Sequence, residues 1–280
     1  MRWRGRRQSD NVIDRRGSRR ISPRGAGGGA AIIILLISVF FGSDVSNLLA
    51  PLIQGGMSPQ VENSAPQTAQ NDEASQFVRT VLAETEDTWK PIFAKMGRQY
   101  QPPKLVLYSG MVQSACGVSS AQAGPFYCPG DYQIYIDLSF LEQLQRMGAP
   151  GDFAFAYVIA HEVGHHVQNL VGVAQQVRER QMQSSKAQAN ALSVKMELQA
   201  DCLAGVWINH TESRNAILEE GDIREGLDAA AAVGDDQIMK NAGRAVSREA
   251  FTHGSSQERM QWFTEGVRSG DINACNTFAG

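Results

Sequence analysis

No Cys-x-x-Cys pair occurs in this chain, whose four cysteines stand at 116, 128, 202 and 275. That spacing argues against a metal site built from cysteines, which draws its ligands in close pairs. Histidine is scarce too, five residues in 280, so any cluster of it carries information. No internal repeat is evident, and an excess of positive charge is found only at the start. Residues 1–24 hold nine Arg against Asp10 and Asp14, a net +7, and the remainder has a net charge of −10. A nucleic-acid-binding surface would spread its basic residues over a folded face, so no nucleic-acid partner is expected.

Long uncharged apolar runs are also missing, with one exception. Residues 25–42 (GAGGGAAIIILLISVFFG) carry no charge. Eighteen helical residues rise roughly 27 Å, just enough to cross the hydrocarbon core of a bilayer. The stretch is expected to be one uncleaved transmembrane helix, since no clear Ala-x-Ala cleavage site follows it. With Arg crowded before it, the positive-inside rule puts residues 1–24 in the cytoplasm and the body outside the inner membrane. An even number of cysteines suits an exported chain, and the expected disulfides join 116 to 128 and 202 to 275.

Residues 43–70, rich in Pro, Gln, Ser, Asn and Gly, read as a tether, and the folded domain is expected over 71–280. Apolar spacing predicts helices over 74–96, 139–147, 153–171, 222–232 and 255–267, and a long one over 174–210 broken near Asn190. The helix over 255–267 opens on Ser255-x-x-Glu258, a capping-box spacing. Strands are predicted at 104–108 and 131–137. The fold class is therefore α+β, a helix-rich domain with a small sheet. The second strand, DYQIYID, is the expected edge on which an extended peptide pairs.

The segment that carries chemistry is His161-Glu162-Val163-Gly164-His165. In a shuffled chain of this composition such a match is expected about 0.005 times. On a helix, residues four apart present both imidazoles to one point. Zinc accepts such nitrogens and keeps a position for water in a catalytic site; Glu162 is placed beside the same mouth as general base. A third ligand at His-x-x-Gly-x-x-His spacing is ruled out by Gln168 and Val171. Glu197, in Glu197-Leu-Gln-Ala-Asp201, is the better candidate, with Asp201 accepting the second ring N–H of a ligating histidine. His166 and His210 are expected to be non-ligands. His253 is either an oxyanion donor or a residue that fixes its loop, with Tyr132 and Tyr135 as further candidate donors.

Several segments in one order carry a wider likeness: Ala115-Cys-Gly117, Gly124-Pro-Phe-Tyr-Cys-Pro129, Tyr135-Ile-Asp-Leu-Ser-Phe140, the His161 segment, Glu197-Leu-Gln-Ala-Asp-Cys-Leu-Ala-Gly-Val-Trp207, Gly234-Asp-Asp236 and Phe251-Thr-His-Gly-Ser-Ser256. Through them the chain resembles the bacterial neutral zinc metallopeptidase family, from about residue 77 to 278. The likeness implies a zincin-like fold, Zn2+ as cofactor and Glu197 as third ligand. A weaker likeness reaches the CAAX-prenyl endopeptidases, which place Glu-x-x-Ala-Asp after the zinc helix. Their proline in a Thr-His-Pro-Ser segment is replaced here by Gly254, and their further transmembrane helices have no counterpart, which argues against prenylated substrates. The expectation is a membrane-held metallopeptidase acting on proteins or peptides. A non-catalytic envelope binding protein and a hydrolase of cell-wall peptides are the rival readings.

Overall fold

The computed structural model describes residues 1–17 and 72–279. The strands are β1 (Val12–Asp14), β2 (Lys104–Tyr108), β3 (Met111–Ser114), β4 (Gly117–Ser120), β5 (Phe126–Cys128) and β6 (Gln133–Asp137). The helices are α1 (Glu73–Lys95), α2 (Phe140–Arg146), α3 (Asp152–Val171), α4 (Val173–Gln181), α5 (Lys186–Asn215), α6 (Asp222–Ala232), α7 (Asp235–Asn241) and α8 (Ser256–Ser269). One sheet has the order β1-β2-β6-β5, with β5 alone antiparallel, and β3 and β4 form a separate hairpin.

Helix α3 is apolar almost all round, so it is buried on nearly every face. Phe153, Phe155, Tyr157 and Ile159 sit in the main core with Trp89 of α1 and Trp207 of α5. Gly172 ends the helix in the left-handed conformation, φ 89°, which costs glycine no Cβ clash. At the other end no side chain of its own N-cap closes it. Glu225 of α6 does so, accepting the Phe153 N–H at 3.0 Å. Helix α1 is capped by Asp72, whose side chain accepts the Ser75 N–H at 2.8 Å.

Three features depart from the sequence expectations. The strand DYQIYID (β6) is not an edge: it pairs with β2 on one side and β5 on the other, and among the described residues β5 is the end strand on the α3 side. The long helix breaks at residues 182–185, not near Asn190, because Ser185 and Gln188 form a reciprocal capping box that starts α5. The domain expected to begin at residue 71 also takes in residues 1–17, whose Val12–Asp14 adds a parallel strand to β2. Among the described residues no helix is long and apolar enough to cross a membrane. The expected anchor at 25–42 and tether at 43–70 lie outside the described residues.

Both expected disulfides are formed, Cys116–Cys128 and Cys202–Cys275. The second ties α5 to the chain end behind α8, where the two helices cross with almost no space between them. A Cβ on Gly266 would stand 1.9 Å from the Cys202 carbonyl oxygen, and one on Gly205 2.3 Å from that of Phe263. Gly266→Ala is therefore expected to force α8 off α5 and to destabilise the fold by about 1–3 kcal/mol or more. Urea unfolding measures this, and an unchanged midpoint would show that the crossing yields freely.

Candidate metal centre

Helices α3 and α5 meet where Gly164 faces Ala200. A Cβ there would stand 3.0 Å from the Ala200 carbonyl oxygen, so glycine permits the approach that brings His161 and His165 to Glu197. His161 Nε2 is 3.2 Å from Glu197 Oε2, and His165 Nε2 is 3.4 Å from Glu197 Oε1. The three residues converge their potential ligand atoms and lie largely buried. At zinc–ligand distances of about 2.0–2.1 Å, tetrahedral ligand atoms stand about 3.3 Å apart. Both histidine–carboxylate separations are close to that value, and the ligand atoms of all three residues lie within 4.8 Å of one another.

The outer ring nitrogens support the same fit. His161 Nδ1 lies 2.7 Å from Asp201 Oδ1, and His165 Nδ1 lies 2.8 Å from Gln168 Oε1. Each Nδ1 thus has an acceptor, and both Nε2 atoms face a buried carboxylate. Burial lowers the His161 pKa, but Asp201 and Glu197 raise it overall to about 9; once deprotonated at Nε2, the two imidazoles and the carboxylate form a donor set for a cation. Gln168 is held in turn, its amide donating to the Met196 carbonyl at 2.7 Å and to Gln199 Oε1 at 3.0 Å.

Asp201 is completely buried and bears three partners at once. Besides His161, it accepts from Arg259 Nε at 2.8 Å and Nη2 at 2.9 Å, and from the Tyr157 hydroxyl. Burial pushes its carboxyl up, but Arg259 and His161 outweigh this and hold it below the usual range. Glu197 is treated likewise: burial raises it, and the two histidines bring it well below the normal carboxylate value. Glu162, 7% exposed, goes the other way. Burial dominates and raises its pKa against the pull of His165 and His161. It lies beside the trio without belonging to it.

His253 lines the same cavity, of about 770 Å³. Its Nδ1 is 3.2 Å from Asp235 Oδ1, and Asp235 Oδ2 accepts the backbone N–H groups of Thr252, His253 and Gly254 at 2.7, 2.6 and 3.0 Å. Burial lowers its pKa, yet Asp235 and Glu197 raise it overall, favouring the form in which both ring nitrogens donate. Its loop is held by Asp235, and its ring borders the cleft. Tyr132 and Tyr135 do not line that cavity; Tyr135 donates to Asp131 and Tyr132 is half exposed. The cleft walls are largely apolar and include Phe126, Phe140, Val158, Val177, Met196 and Val233.

His166 and His210 take no part in the trio. His166 donates to the Gln101 carbonyl at 2.7 Å and accepts from the Tyr127 hydroxyl at 3.1 Å, and burial lowers its pKa to about 4. As a neutral tether it fastens β5 to α3. His210 lies within α5, not at its end, and donates to the Gly270 carbonyl. Sequence reasoning left Arg259, Tyr157 and Asp235 without roles. Their partners lie 58, 44 and 18 residues away, separations that leave no local pattern.

A helix with two histidines four apart, a glutamate between them and a carboxylate from a second helix define a metal-site protein of the His-Glu-x-x-His class. The chain belongs to the family described as "Putative neutral zinc metallopeptidase", whose model matches residues 1–278. It is 47% identical over 289 residues to "Uncharacterized protein YpfJ" of Escherichia coli K12, covering 99% of each chain. To "Uncharacterized protein Rv2575" of Mycobacterium tuberculosis H37Rv it is 40% identical over 222 residues, 74% of this chain and 73% of the relative. No solved structure matches it.

Proposed function

We propose that the chain is a zinc-dependent endopeptidase that hydrolyses peptide bonds of proteins outside the cytoplasmic membrane. The observation that carries this reading is Glu162, an intact buried carboxylate beside a zinc-spaced trio on a large cleft. His161, His165 and Glu197 would hold the ion, which supplies Lewis acidity to a water and to a carbonyl oxygen. Glu162 then takes the proton of the attacking water and returns it to the leaving amine. His253 Nε2–H is the donor for the oxyanion that develops on the scissile carbonyl. Asp201 and Gln168 fix the two imidazoles by their Nδ1–H groups.

Strand β5 ends the sheet at the cleft, and Phe126 and Tyr127 line it. An extended substrate pairs with that edge and lays apolar side chains against the apolar walls. The two disulfides fit folding in an oxidising compartment, and the charge-free residues 25–42 would hold the protein at the membrane.

Metal analysis and casein cleavage on the full chain test the reading. The wild type is expected to hold one zinc and to cleave. Glu197→Ala is expected to lose both zinc and activity, since two histidines alone leave the site short of a ligand and of its negative charge. A wild type that neither contains zinc nor takes it up would sink the proposal, and so would a Glu197→Ala variant that retains full zinc occupancy.

A further inference from the structure

The nine arginines of residues 1–24 look, from sequence, like a signal that keeps the N-terminus in the cytoplasm. The structure gives several of them another occupation. Arg7 pairs with Asp87 at 2.8 Å and Glu86 at 3.0 Å, Arg6 with Glu84 at 3.3 Å, and Arg4 with Glu73. All four carboxylates belong to α1. Ser9 Oγ and Asn11 Nδ2 both donate to Glu86 Oε1, at 2.5 and 2.8 Å, and Arg6 Nη2 donates to the Asn215 carbonyl of α5 at 2.8 Å. Three of the nine arginines of residues 1–24 thus meet carboxylates of α1.

Charge alone would not make this a lasting contact, because exposed ion pairs are weak. The arm is also bonded and buried like an element of the domain. Strand β1 joins the sheet through the Leu105 N–H to the Asn11 carbonyl at 2.9 Å and the Arg15 N–H to the Leu107 carbonyl at 2.8 Å. Trp3 is 6% exposed and meets Phe77 edge-on, and Phe77 stacks on Phe155 of α3. Through Phe77 of α1 the arm thus reaches the helix that carries His161 and His165.

Where the arm ends, the rest of the domain begins. Arg16 Nη1 stands 2.6 Å from Asp72 Oδ2, and the same arginine holds Asp14 at 2.5 Å. One crossing of a membrane by residues 25–42 would put about 30 Å of hydrocarbon between residues 17 and 72. The contact and the single crossing exclude each other. We infer that residues 1–17 and the domain of residues 72–279 occupy the same compartment, so that any membrane contact made by residues 25–42 begins and ends on one face.

The inference is independent of catalysis, and cysteine accessibility on the full chain in spheroplasts tests it. Gln8→Cys on the arm and Gln183→Cys on the domain are both at exposed positions, and all four native cysteines are in disulfides. Each variant is treated with a membrane-impermeant maleimide, with detergent-solubilised protein as the reference for full labelling. Equal labelling of both before lysis is expected. Protection of both until lysis would also uphold the shared compartment, while moving the domain to the cytoplasmic side and so overturning the proposed location. Labelling of Gln183→Cys alone, with Gln8→Cys reacting only after lysis, restores the single crossing and overturns the inference.

Discussion

Glu162→Gln is expected to lower proteolysis by about 10²–10⁴-fold, the usual worth of a positioned general base, and to leave zinc content at the wild-type level. Glutamine keeps the size and the hydrogen-bonding reach of the side chain but cannot take the proton of the attacking water. It also leaves the spacing of His161, His165 and Glu197 untouched. Burial raises the Glu162 pKa in the metal-free protein, and the charge of a bound ion would oppose that shift. Zinc analysis and casein cleavage on the same preparation decide the matter. Activity within about twofold of wild type would remove Glu162 from the mechanism, given the value such bases normally have. Loss of zinc along with activity would make it a structural residue of the site instead.

Much of this site is legible in the sequence because its residues obey a local period. His161 and His165 are four apart on a helix that is apolar all round, and Glu197 and Asp201 repeat the spacing on α5. Gly172 and the Ser255–Glu258 box mark helix ends by the same kind of short-range rule. What resists reading is whatever depends on a distant partner. Arg259 is one polar residue on an amphipathic helix until Asp201 is brought against it. Val12–Asp14 is too short to show alternation, and it becomes a strand only because β2 offers an edge. Arginines 4, 6, 7 and 16 are conspicuous in the sequence, but the carboxylates that hold them are 56 to 80 residues further on, apart from Asp14. The break before α5 is a different case. Ser185 and Gln188 spell its capping box, yet good helix formers on both sides, among them Gln181, Met182 and Lys186, hide the interruption.

Removing the guanidinium at 259 is expected to be costly in two separable ways. Arg259 is 3% exposed, Asp201 is fully buried, and they share two hydrogen bonds of 2.8 and 2.9 Å. Breaking a buried pair from one side leaves the other charge without compensation, so Arg259→Met is expected to destabilise the zinc-free protein by about 3–5 kcal/mol. Using zinc-free protein keeps metal binding from adding to the measured stability. The second effect reaches the site through Asp201. With Arg259 gone the carboxylate loses the largest influence that holds its pKa down, and a protonated Asp201 is a poorer acceptor for His161 Nδ1–H. Zinc affinity is therefore expected to fall by about 10–100-fold, as it does when partners behind metal ligands are lost. Adding Asp201→Asn to Arg259→Met removes the orphaned charge and keeps an oxygen for the imidazole. The double variant should then be more stable than the sum of the two single changes, by a coupling of about 0.5–3 kcal/mol. Urea unfolding of the four proteins and competitive zinc titration supply both readings. Additive stabilities would show that the pair is not coupled, and unchanged zinc affinity in Arg259→Met would show that Asp201 positions His161 without help from the arginine.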